Sequence, residues 1–183
     1  MAGEDILYLD TDTIVMRDPW ALVKEAKGNF LGRIDFGADE KVADMLQIHY
    51  PLLRSLGTLF GRTPTAVLNT GVLFFLGGIH KQLKDLPDDI WELICLFKEH
   101  KMPYPCNNQL IMEEVAAALA IPKYPVVYEE IPQEKLPSYF ECIHGLLDDK
   151  EAHILHIWHK LYPKYLEDTG QKEALKHYLA CTK

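Results

Sequence analysis

An α/β layer fold is predicted by three features of the sequence. Apolar runs of strand length recur at residues 6–9, 30–36, 71–76 and 154–158. Between them lie stretches whose apolar residues return at helical spacing, opened by Asp or Asn and closed by Gly. Internal repeats and low-complexity tracts do not interrupt this alternation, so the pattern is that of one layered domain over residues 1–183.

The elements follow in chain order. Ile6-Leu7-Tyr8-Leu9 is continuously apolar, as a strand buried on both faces would be. Asp18 before Pro19 opens a helix over about residues 19–27 that Gly28 ends, because the carboxylate accepts from exposed amides and Pro at the first position loses no bond. Residues 30–36 form a second strand. A helical stretch over 39–55 is bent or broken at Pro51, and 56–65, with Gly57, Gly61 and Pro64, reads as a loop. The run 71–76 is the most hydrophobic and is closed by Gly77-Gly78. Pro87-Asp88-Asp89 then opens a helix to about Lys101, with Ile90, Trp91, Leu93, Ile94 and Phe97 recurring at helical spacing and Trp91 and Phe97 assigned to the core. Asn107 or Asn108 caps another over 109–120. Residues 125–128 and 154–158 are strand-like, and about 170–180 is helical.

Composition narrows the function. The chain of 183 residues is 48% hydrophobic and 25% charged, which is globular and long enough to close a core without metal or disulfide staples. Nineteen basic against 27 acidic residues give a formal charge of −8, which excludes a broad grip on nucleic acid phosphates. Cys95, Cys106, Cys142 and Cys181 lack zinc or scaffold spacing and read as free thiols. Without a signal peptide or an integral membrane segment, the expected setting is the cytoplasm.

Chemistry concentrates at Asp10 and Asp12, which flank Thr11 where the first strand ends. On extended backbone, residues i and i+2 project to one side, so the carboxylates converge. Like charges that close shift each other's pKa or take up a cation, and a hard divalent ion such as Mg²⁺ or Mn²⁺ is the simplest. The competing reading makes one Asp a turn cap and leaves the other solvated. Of His153, His156 and His159, strand and helix geometry both disfavour a three-histidine zinc site, whereas a single His joining the two aspartates is feasible. Arg62 reads as a solvated loop residue, and Cys142 with His144 is too isolated for a thiol–histidine catalyst.

The wider string is more specific. Asp5-Ile-Leu-Tyr-Leu-Asp10-Thr-Asp12-Thr-Ile-Val-Met-Arg-Asp18-Pro-Trp-Ala-Leu22 resembles, over 18 positions, the DxD segment of glycosyltransferase family 8, retaining enzymes of GT-A fold. Leu68-Asn69-Thr70-Gly71-Val72 is similar to that family's Asn-(Ala/Ser)-Gly-Val strand, Asn108-Gln109 to its Asp-Gln, and Ile154-Leu155-His156-Ile157-Trp158 to its His-containing segment. The resemblance implies a mixed, mostly parallel GT-A-like sheet flanked by helices. It also implies transfer of a hexose from a nucleotide-diphosphate sugar, UDP being the expected carrier, to a carbohydrate or protein acceptor. Asp10, Asp12 and His156 would then hold Mn²⁺ or Mg²⁺, and Asp10, Thr11, Asp12, Lys160 and Lys164 would meet the donor. Asn69, Asn108 and Gln109 would line the reacting centre.

Departures from the pattern support a second reading. Only four residues precede Asp5, so the chain is expected to be the C-terminal portion of the family fold, lacking the part that carries the base pocket. An apolar strand without those neighbours favours pairing with a second copy through the exposed sheet. Asn108 stands for a carboxylate, His159 for a Gly and Tyr162 for the phosphate-binding Lys. The alternative is thus a catalytically inactive GT-A domain used as a binding or assembly module. A phosphotransfer domain with Asp10 as nucleophile fits the DxD but not the neighbouring strings.

Overall fold

The structure is a computed structural model that describes residues 4–36, 67–102, 112–157 and 159–181. It is mixed α/β, with a four-stranded sheet, a two-stranded sheet and, among the described residues, five α-helices. The chain divides into two compact units, residues 1–8 with 27–130 and residues 9–26 with 131–183.

The first unit is built on β1 (Ile6–Leu9), β3 (Phe30–Phe36), β4 (Val67–Phe75) and β5 (Tyr128–Glu130), in the spatial order β1-β4-β3-β5. β3 runs antiparallel to β4 and parallel to β5, so the sheet is mixed. Among the described residues β1 is terminal in this sheet, and its Tyr8 is 47% exposed, which corrects the expectation of a strand buried on both faces. Two helices supply the core: α1 (Leu86–Glu99) and α2 (Met112–Ala120). Phe30, Leu68, Leu93, Phe97 and Val115 are buried together with the alanines of α2, whose small side chains allow close packing. Asp89 ties the unit together, accepting from Lys123 Nζ at 2.5 Å and Tyr124 OH at 2.6 Å.

Trp91 is 61% exposed, against its assignment to the core. It stands off the Ile90–Leu93–Ile94–Phe97 stripe, and Lys98 Nζ lies 5.6 Å from its ring centroid on the solvent side. A second difference lies in β4, which starts at Val67 and so takes in Asn69. Its register against β3 steps from Gly32↔Leu73 to Ile34↔Leu68, so residues 69–72 bulge opposite Arg33. Asn69 Oδ1 accepts from the Gly71 amide at 3.0 Å and holds the bulge from within. Both helix 39–55 and loop 56–65 of the sequence reading, with Arg62, lie outside the described residues.

In the second unit, β2 (Thr13–Val15) pairs antiparallel with β6 (Ile154–His156). The helix expected over 19–27 is only a 3₁₀ turn, Pro19–Leu22, capped as anticipated by Asp18, which accepts from the Trp20 amide at 3.0 Å. Its apolar face is too short for a helix to gain from burial. Three helices complete the unit: α3 (Tyr139–Ile143), α4 (Tyr162–Asp168) and α5 (Lys172–Cys181). Ser138 and Glu141 form a capping box at the start of α3. Leu155, Ile157 and Leu166 form the core with Tyr139 and Tyr165, whose rings meet edge to face at 5.3 Å.

Candidate metal centre

Three chain segments of the second unit meet at the start of β2. Asp10 and Asp12 lie on a tight turn, not on extended backbone as the sequence suggested. The Thr13 amide and the Thr13 hydroxyl both donate to the Asp10 carbonyl, at 3.2 and 2.7 Å, and close that turn. A turn brings i and i+2 carboxylates to one side as effectively as a pleat does, by folding the chain under them.

His156 reaches the same place through register. Thr13 is paired with His156 across the β2–β6 ladder, and the Ile157 amide donates to the Asp12 carbonyl at 2.7 Å. The other side of β6 is fixed by the His156 amide, which donates to Pro137 O at 3.1 Å. As a result His156 Nε2 lies 3.2 Å from Asp12 Oδ1, with the two side chains 18% and 23% exposed. One ligand atom each from Asp10, Asp12 and His156 falls within 4.8 Å of the others. Neighbouring ligands at about 2.1 Å from an octahedral cation stand roughly 3 Å apart, so the Asp12–His156 spacing suits such an ion with little movement. Two carboxylates and one imidazole, partly open to solvent, leave coordination positions for a ligand.

The remaining candidates have definite places. His153 precedes β6 and is outside the cluster, its Nδ1 2.8 Å from the Asp18 carbonyl. Thr11 is exposed in the turn, and Lys160 is exposed in the 3₁₀ turn His159–Leu161. Lys164 Nζ donates to both oxygens of Asp168, at 2.9 and 3.1 Å, and Asp168 also accepts from the Tyr139 hydroxyl. Asn69 belongs to the first unit, 8% exposed, with its side-chain oxygen engaged by Gly71. Asn108 and Gln109 lie outside the described residues.

Two residues were not singled out by sequence. Thr13 reads only as a β-branched strand former, and its hydroxyl's role becomes visible once the turn is seen. Arg33 is 6% exposed in the middle of a strand. Its charge counters the burial that pushes the Glu130 carboxyl upward. An arginine inside an apolar run was the available signal. No protein-family model and no curated protein matches the chain.

Proposed function

We infer that the chain is a metal-dependent glycosyltransferase domain of GT-A type, taking a hexose from a nucleotide-diphosphate sugar, with UDP as carrier and a carbohydrate or protein as acceptor. The observation that carries the reading is the meeting of Asp10, Asp12 and His156, brought from the two ends of the sequence to one turn. Asp10 and Asp12 offer carboxylate oxygens and His156 its Nε2 to Mn²⁺ or Mg²⁺. When bound, such an ion supplies Lewis-acid compensation for the negative charge of a leaving diphosphate. The protein's own contribution is preorganisation: the hydrogen-bonded turn and the ladder fix three ligands before any ion arrives. Of Lys160 and Lys164, it is Lys160, exposed on the turn after β6, that is offered to donor phosphate, since Lys164 is engaged by Asp168. The resemblance assigns Asn69, Asn108 and Gln109 to the reacting centre. A cytoplasmic setting suits Cys95 and Cys142, which stand as thiols and not in a disulfide.

A second reading, an inactive GT-A-like module, is favoured by one observation: of the two lysines flanking Tyr162, which stands for the family's phosphate-binding Lys, Lys164 is tied to Asp168. Calorimetric titration with UDP separates the two. The enzyme reading expects UDP to bind only with Mn²⁺ present, to lose that binding in Asp12→Asn, and UDP-hexose to release free hexose slowly in water. Absence of UDP binding at millimolar ligand with Mn²⁺ present contradicts it.

A further inference from the structure

We propose that Thr13 is the positioning residue of the metal centre: its hydroxyl clamps the Asp10–Asp12 turn while its backbone registers that turn against His156. This rests on the reading of Asp10, Asp12 and His156 as a metal site and adds the element that sets their geometry. The Asp10 carbonyl accepts twice from one residue, from the amide at 3.2 Å and from the hydroxyl at 2.7 Å. The shorter contact is the side chain's. A valine or isoleucine would serve the strand equally well, as Ile14 and Val15 do in the same ladder, so strand pairing does not call for the oxygen. Without it the Asp10 carbonyl keeps the longer contact from the Thr13 amide, and the turn that sets the Asp10 carboxylate against Asp12 is held less firmly. The same residue stands opposite His156 in the β2–β6 register, and the next ladder contact is Ile157 to the Asp12 carbonyl. Thr13 therefore links all three ligands without touching an ion itself.

Ligand-orienting groups of this kind typically change metal affinity by about tenfold or more when removed. The test is titration of the chain with Mn²⁺ alone, followed by the loss of the free-ion electron paramagnetic resonance signal. Thr13→Val removes the hydroxyl at constant shape and is expected to weaken Mn²⁺ by about tenfold. Thr13→Ser keeps the oxygen and is expected to bind as the wild type does. Thr13→Ala against Thr13→Ser provides the same comparison at smaller size should the valine variant fail to fold. Thermal unfolding in chelator is the structural readout: a role in stability alone lowers the midpoint yet leaves the affinity of the folded protein unchanged. Equal affinity in wild type, Thr13→Val and Thr13→Ala overturns the positioning role, as does equal weakening in Thr13→Ser and Thr13→Ala. Where the wild type takes up no Mn²⁺, or Asp10→Asn binds it undiminished, the metal reading itself falls, a result distinct from either of those.

Discussion

Asp168 accepts from the Tyr139 hydroxyl and from Lys164, and these partners hold its carboxyl below the usual carboxylate range. Burial first, then the bond to Asp168, pushes the Tyr139 phenol well above its ordinary value. The signs give two pH limits. Asp168 loses its proton more readily folded than unfolded, so its contribution is full above the ordinary carboxylate pKa and is lost as pH falls through the folded value. Tyr139 keeps its proton more tightly folded than unfolded, so its contribution is full below about pH 10, where a free tyrosine ionises, and is lost as pH rises beyond. Thermal midpoints measured across pH are expected to be less pH-dependent at both ends in Tyr139→Phe than in the wild type; identical profiles contradict the pairing. None of this was legible in the sequence, because Tyr139 and Asp168 are brought together only by the packing of α3 and α4. Of the candidate ligands, Asp10 and Asp12 were legible as a DxD after an apolar run, and His156 only through the resemblance of its segment. Thr13 was not, because its partner is a backbone carbonyl that carries no sequence signature.

At the scale of elements, what the sequence disclosed depended on length and local pairing. α1 and β3 were readable because each carries its own long pattern, whereas β2, with three residues, depends on a strand at the other end of the chain. α4 was missed because Pro163 sits in its first turn, where it is tolerated, rather than after its end. Trp91 shows the limit within a well-read helix. Six positions separate it from Phe97, which leaves the two about 120° apart around a helix of 3.6 residues per turn, so with Phe97 pointing into the core Trp91 falls beyond the edge of the buried stripe. Counting positions, rather than apolar residues, would have placed it outside. Phe97→Ala is expected to cost about 3–5 kcal/mol by opening a cavity. Trp91→Ala is expected to cost about 0.5 kcal/mol or less, the worth of an exposed cation–π contact and a surface change. Urea unfolding of both variants checks the assignment, and a large loss for Trp91→Ala would return that residue to the core.

For the whole molecule, the formal charge of −8 and the mixed α/β composition set only the class of the protein. The proposed function rests instead on a small part of one unit, where a hydrogen-bonded turn and a two-stranded ladder bring Asp10 and Asp12 to His156, which the unfolded chain keeps far from them. Nothing in composition distinguishes that arrangement from a solvated acidic turn, and only the cross-strand register does. Paramagnetic broadening in the nuclear magnetic resonance spectrum by substoichiometric Mn²⁺ probes it most directly. The account predicts early loss of the His156 ring signals and of the Asp10–Thr13 amides, with His153 and His144 affected later, and recovery on adding chelator. Uniform weak broadening spread over the acidic surface, with His156 no more affected than the other histidines, would contradict it.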